Sequence, residues 1–217
     1  LGPDGHPARG GFLPPVPLSN RMWAGGRVEF FAPLPIGAAM EKRSRVQSIE
    51  HKHGRSGELV FVTVLHEVFA AGNRCVREEH DIVYRNPVPP GPLPASAAGQ
   101  PAAQHRRTWQ PDTTQLFRYS ALTFNGHRIH YDADYCRQVE GYDNLVIHGP
   151  LIATMLAGLA AELADGALKR FAYRALCPAL LGAPLMLNAR YDGPGWALWT
   201  TLADGRVGMQ AEAEAGG

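Results

Sequence analysis

Gly149-Pro150-Leu151-Ile152-Ala153-Thr154-Met155-Leu156-Ala157-Gly158-Leu159-Ala160-Ala161 is the stretch that decides the fold. Gly149 and Pro150 mark a helix start, because proline suits the first turn, where its missing N–H has no carbonyl to bond. Asp165-Gly166 marks the end. Between them Leu151, Ile152, Ala153, Met155, Leu156, Ala157, Leu159, Ala160 and Ala161 leave no polar face. A helix that is apolar nearly all round has to be buried on most sides, so the rest of the chain must wrap it.

Strands are the available wrapping. After the helix, Arg170 to Leu176, Pro184 to Tyr191, Trp196 to Leu202 and Arg206 to Glu214 read as strands separated by Gly-containing turns. Before it, Leu116 to Thr123 is a strand candidate, followed by a long polar loop from Phe124 to His148. In the first half Met40 to Glu50, Glu58 to Val68 and Cys75 to Tyr84 form an antiparallel meander, broken at Gly54-Arg55-Ser56-Gly57 and Ala71-Gly72-Asn73. Residues 1–20, rich in Gly and Pro, read as an extended arm. Asn86 to Gln104, with its run of prolines and small residues, reads as a mobile linker. The halves share a weak repeat: Pro33-Leu34-Pro35-Ile36-Gly37 and Pro178-Ala179-Leu180-Leu181-Gly182 each precede a set of strands. The expected organisation is an N-terminal unit over 1–85, a linker over 86–112 and a C-terminal catalytic unit over 113–217. The first unit has no helix, and the start at Leu1-Gly2-Pro3-Asp4-Gly5 is neither an initiator methionine nor a signal peptide. Together these suggest a chain that begins inside a longer protein.

Composition narrows the function. With 45% apolar and 19% charged residues among 217, the chain can build a sizeable core. A net charge of +1 argues against nucleic-acid binding. No apolar run is long enough for a membrane helix. Cys75, Cys136 and Cys177 cannot pair completely and show no CxxC spacing, which points to a reducing, cytoplasmic setting.

The chemistry-bearing segment is Thr123-Phe124-Asn125-Gly126-His127-Arg128-Ile129-His130-Tyr131-Asp132. It packs ionisable groups between the Leu116 to Thr123 segment and a buried helix. Val146-Ile147-His148-Gly149 then leads into the helix start, whose free N–H groups and dipole suit an oxygen gaining negative charge. A metal set of His127, His130, Asp132 and Asp134 with His148 has suitable donors but no familiar spacing. Cys136 reads as a buried thiol, and Ser56 as a turn residue.

The stretch from Leu116 to Asp132, with His148-Gly149-Pro150-Leu151 behind it, resembles the MaoC-like dehydratases of the hot-dog superfamily. It is similar above all to the branch with mesaconyl- and itaconyl-CoA hydratases and mitochondrial-type 3-hydroxyacyl-thioester dehydratases. Gly10-Gly11-Phe12-Leu13-Pro14-Pro15, Met22-Trp23-Ala24-Gly25-Gly26 and Gly54-Arg55-Ser56-Gly57-Glu58-Leu59 share the resemblance. It implies an α+β fold, a double hot dog, with an antiparallel sheet wrapped around the long apolar helix. It also implies a hydro-lyase that adds water to an enoyl thioester or removes it from a 3-hydroxyacyl thioester. R-specific relatives carry Asp, any residue, Asn, Pro, an apolar residue and His, the Asp and His holding one water. Here Asn125 stands for that Asp, His130 for the His, and His127-Arg128 replace Asn-Pro. Because Asn cannot act as a base, the expected division of labour is His130 as acid and base, Asn125 orienting water through its carbonyl oxygen, and the Gly149 N–H on the thioester carbonyl. His127, Arg128, His148 and Arg174 are the candidate substrate-binding residues, Arg174 and Arg190 being possible partners for a CoA phosphate or substrate carboxylate.

No metal or other cofactor is expected. The expected partner is acyl-CoA or acyl-ACP, with no nucleic acid or membrane, in a homo-oligomer such as a dimer. Three alternatives stay open: a 3-hydroxyacyl-ACP dehydratase of fatty-acid synthesis, a non-catalytic acyl-thioester-binding subunit, and a thioesterase. The absence of Asp or Glu from Leu151 to Ala161 counts against the last.

Overall fold

A computed structural model describes residues 1–54, 57–86 and 102–216. Arg55 and Ser56, residues 87–101 of the proline-rich segment and Gly217 lie outside the described residues.

The sheet has nine strands, all paired antiparallel. The N-terminal half supplies β1 (Asn20–Phe30), β2 (Met40–Gly54), β3 (Gly57–Ala70) and β4 (Asn73–Arg85). The C-terminal half supplies β5 (His105–Trp109), β6 (Leu168–Ala175), β7 (Leu185–Asp192), β8 (Gly195–Thr201) and β9 (Val207–Ala215). Their order is β2-β3-β4-β1-β6-β9-β8-β7-β5. Reading outward from the β1–β6 junction, both sides run in the same sense: β1-β4-β3-β2 on one, β6-β9-β8-β7 on the other. The repeat of Pro33 to Gly37 and Pro178 to Gly182 is thus a repeat of strand topology, each segment leading into an equivalent strand.

The apolar helix is α3 (Gly149–Leu163), which packs against β6, β7, β8 and β9. Ile152, Ala153, Leu156, Leu159 and Ala160 are buried in the main core with Leu187, Leu198, Met209 and Ala211. Only Thr154, Gly158 and Glu162, one turn apart, face solvent. Glu162 pairs there with Arg107 of β5.

Four sequence expectations change. Thr113–Thr123, expected to be extended from Leu116, is helix α1. The Asp112 side chain accepts the Gln115 N–H at 2.7 Å and caps it, and Phe124 in the left-handed region ends it. β5 falls inside the 86–112 linker, where His105 to Trp109 pair with Ala189 to Leu185. The arm over residues 1–20 is extended but docked: Val16 and Leu18 are buried with Val62, Val64, Ile82 and Tyr84 in a second core cluster.

The fourth change is β1, unforeseen because Gly25 and Gly26 weaken strand propensity. Their lack of side chains is what the position needs. A Cβ on Gly26 would lie 2.4 Å from the Tyr173 hydroxyl and 2.9 Å from the Glu79 carbonyl. The two glycines let β6 and the Tyr173 ring close onto β1, joining the two halves of the sheet.

Candidate active site

The loop after α1 is a sequence of tight local turns. Asn125 N–H bonds the Ser120 carbonyl at 3.0 Å, and the Asn125 Oδ1 accepts the His127 N–H at 3.1 Å. One 3-10 turn, Arg128–His130, follows. Two short helical turns, α2 (Ala133–Tyr135) and Cys136–Glu140, bring the chain back. Val146 N–H then bonds the Ile129 carbonyl, and His130 Nδ1 lies 2.7 Å from the Val146 carbonyl. Two residues on, His148 sits at the N-cap of α3. The result is a face-to-face imidazole pair, His130 on His148, with ring centroids 3.6 Å apart.

The Val146 contact decides the His130 tautomer. A carbonyl oxygen only accepts, so Nδ1 carries the hydrogen and Nε2 keeps its lone pair. Burial pushes the His130 pKa down to about 4, against which the Val146 hydrogen bond works weakly. At neutral pH His130 is therefore an uncharged base with Nε2 as its basic atom, and Nε2 has no protein partner among the described residues. His148 is pushed down to about 3 by burial and by His130; its Nε2 meets the Ser120 hydroxyl at 2.8 Å, while its Nδ1 is buried without a partner among the described residues.

The row of imidazoles continues toward the N-terminal arm. His127 meets His130 edge-on at 5.6 Å and lies against His6 at 3.9 Å. Burial and the neighbouring His6 and His130 push His127 down to about 3. Asp4 takes both the backbone N–H and Nδ1 of His6, at 3.0 and 3.1 Å. The arm is clamped to the loop by Arg128 N–H on the Asp4 carbonyl at 2.9 Å. Gly5 and Gly126 permit that contact, since a Cβ on Gly5 would lie 1.9 Å from the Gly126 oxygen.

Gly149 opens α3, where the helix has no upstream carbonyl to take its N–H. A Cβ there would lie 3.4 Å from Cε3 of Trp23, so the indole of β1 packs directly beside that donor.

The structure thus brings together His127, His130, His148 and Gly149, with Asn125 in the same turn. It does not bring in Arg128 or Arg174, two of the expected substrate-binding residues. Arg128 is held by Asp132 through Nε and Nη2 at 3.1 and 2.8 Å, by the Pro3 carbonyl and over the Tyr135 ring. Arg174 is exposed, and strand alternation turns it to the face opposite buried Tyr173. Arg190 is also exposed. The Asn125 carbonyl oxygen has one lone pair on the His127 N–H, so its first task is to hold the turn. Asp132 caps the Ala133–Tyr135 turn and binds Arg128, which takes it out of the candidate metal set. Cys136 is buried, its thiol on the Ile129 carbonyl.

Asp4, His6, Ser120, Arg21 and Trp23 escaped the sequence reading. Asp4, His6, Arg21 and Trp23 are remote in sequence from the loop, and Ser120 lay in the misread helix. The usable signals were the Asp112-Thr113-Thr114-Gln115 capping pattern and the Arg21-x-Trp23 alternation on one strand face. Asp4, His6 and His127 do place ligand atoms within 4.8 Å of one another. Yet Arg21 Nη2 lies 3.8 Å from Asp4 and raises the positive potential at both His6 and His127, which opposes a second cation.

A profile of the family described as hydroxyacyl-thioester dehydratase type 2 matches residues 1–181. The chain is 44% identical to mesaconyl-C(4)-CoA hydratase of Chloroflexus aurantiacus, over 100% of this chain and 78% of that protein. Its fold is similar to a MaoC-like dehydratase from Phytophthora capsici, with TM-score 0.71, 16% identity and coverage of 96% and 77%. It is also similar to a Mycobacterium tuberculosis protein described as a double hot dog, with TM-score 0.61, 12% identity and coverage of 91% and 75%. The architecture is accordingly the α+β double hot dog that the sequence resemblance implied, its antiparallel sheet wrapped around α3. Among the described residues no helix is long and apolar enough to cross a membrane.

Proposed function

Since the chain belongs to the hydroxyacyl-thioester dehydratase type 2 family and is a MaoC-like hydro-lyase, we propose that it adds water reversibly across the double bond of a short enoyl-CoA. The 44% identity to a mesaconyl-C(4)-CoA hydratase supports a dicarboxylic acyl group of that kind. The observation that carries the reading is the fixed tautomer of His130: a buried, neutral imidazole with Nδ1 bound to Val146 and Nε2 unspent.

In this reading the thioester carbonyl lies on the Gly149 N–H, where the α3 dipole favours the negative charge that develops on oxygen. Water bonds to His130 Nε2. As its oxygen attacks the β carbon, one proton passes to Nε2 and the double-bond electrons move toward the thioester, forming an enolate. The enolate carbon then takes a proton from the imidazolium, which returns to neutral. Dehydration is the same path reversed. Asn125 keeps the loop in the conformation that presents His130 and has an amide group left to bond the water. His148, held by Ser120, forms the wall against which the His130 ring is stacked.

The test is absorbance loss at the conjugated enoyl thioester when the protein meets a panel that includes mesaconyl-, fumaryl-, crotonyl- and longer enoyl-CoA. Hydration of at least one short thioester, lost in His130→Ala, is the expected result. A folded protein that hydrates none of them, or a His130→Ala variant with parental turnover, overturns the reading.

A further inference from the structure

We propose that Arg21 binds the free carboxylate of a dicarboxylic enoyl thioester and so selects diacid over monoacid substrates. This rests on the hydratase reading above and assigns it a specificity residue.

Arg21 lies on β1, two residues before Trp23, so the two side chains share one face of the strand. The Arg21 side chain is only 7% exposed, and its Nε is buried with no hydrogen-bond partner among the described residues. Trp23 Nε1, on the same face and packed beside Gly149, is likewise buried with no partner among the described residues. Buried donors are normally satisfied, and a buried cation left unpaired is costlier still. Asp4 offers the guanidinium only a long ion pair, at 3.8 Å and beyond hydrogen-bond length, and its oxygens already serve His6. The remaining contact, Nη2 to the Pro7 carbonyl at 3.4 Å, is neutral and long. A cation with unspent donors on the active-site face of β1 is built for an anion that arrives with the ligand.

Position selects which anion. In a four-carbon unsaturated diacid thioester the free carboxylate is attached to the β carbon, the atom that water attacks. Its anchor must therefore sit close to the base. Arg21 Nη2 lies 3.8 Å from Asp4, whose carboxylate is within 4.8 Å of a His127 ring nitrogen, and the His127 ring meets that of His130 at 5.6 Å. A guanidinium also matches a carboxylate with paired N–H donors.

The experiment compares two substrates within each variant, so that a general loss of fold or activity cancels. For the parent, Arg21→Gln and Arg21→Lys, kcat/KM is measured with mesaconyl-CoA and crotonyl-CoA. Binding of the unreactive succinyl-CoA and butyryl-CoA is measured by calorimetry. The expected result is a fall of about 10- to 100-fold in the mesaconyl/crotonyl ratio for Arg21→Gln, the usual worth of a hydrogen bond to a charged group. Arg21→Lys restores part of the ratio, and the parent's preference for succinyl- over butyryl-CoA disappears in Arg21→Gln. Equal losses on both substrates, or an unchanged ratio, overturn the assignment while leaving the hydratase intact. A parent that hydrates neither thioester yet binds succinyl-CoA through Arg21 overturns the hydratase reading and keeps the carboxylate site.

Discussion

The imidazole of His148 lies flat on that of His130, with centroids 3.6 Å and planes 16° apart. At this separation a proton on either ring is opposed by burial and would repel a proton on the other. The stack thus keeps His130 uncharged, while the hydrogen bond from Nδ1 to Val146 aims the lone pair of Nε2.

The first prediction is a pH profile. The proposed hydration uses the base form of His130, whose pKa is down to about 4. Turnover should stay level as pH falls from about 7 to about 5 and decline only near 4, whereas an exposed histidine would titrate near ~6.5. A kcat–pH curve with its acidic midpoint near ~6.5 would contradict the buried, stacked state.

Stability should respond to acid over a wider window. His127, His130 and His148 have folded-state pKa values of about 3, 4 and 3, all below the unfolded value of 6.5. Between these values the unfolded chain binds more protons than the folded one, so unfolding free energy falls as pH drops from 6.5 toward 4, and recovers as pH rises. Denaturation midpoints measured across that range should fall steadily, with net proton uptake on unfolding.

His130→Ala should lower kcat by ~10²- to 10⁴-fold, the usual worth of general acid–base catalysis. The sequence alone suggests a loop lining a cavity and little effect on folding. The structure adds a stability cost, because His130 is buried and its loss strands the Val146 carbonyl; an unsatisfied buried acceptor costs roughly 1–3 kcal/mol. Steady-state kinetics paired with thermal unfolding should register both effects.

Gly149→Pro should lower turnover by ~10²- to 10³-fold through loss of an oxyanion donor. Gly149→Ala is its control, since a methyl group would rest 3.4 Å from the Trp23 ring, close to van der Waals contact, and the N–H remains. Equal losses in both variants would assign the effect to crowding of Trp23 rather than to the donor.

Asn125 should separate turn-holding from charge. Asn125→Asp keeps an acceptor for the His127 N–H, and Asn125→Ala does not. The Asp variant should retain appreciable activity and the Ala variant lose more, without either matching His130→Ala. Kinetics with circular dichroism on the three variants would show a different order if Asn125 carried the proton transfer.

Much of the fold, and several residues that the structure gathers at the candidate site, were legible in the amino-acid sequence. The α3 helix stood out because an unbroken apolar surface at helical spacing has one solution, burial by strands. The strands β2 to β4 and β6 to β9 followed from β-branched and aromatic runs between glycine turns. His130, Asn125 and Gly149 were legible because they lie in one loop and one helix start. What the sequence could not carry was anything decided across distance. Aromatic and β-branched residues made α1 look extended, and only the Asp112 cap and the packing of Leu116 made it helical. Glycine hid β1, whose strand character comes from pairing on both sides with β4 and β6. The protonation state and aim of His130, the docking of Asp4 and His6 on the loop, the outward turn of Arg174 and the burial of Arg21 all depend on tertiary packing. Local propensity is a sum over neighbours in the chain, while desolvation and hydrogen-bond satisfaction depend on neighbours in space, which only the folded sheet brings together.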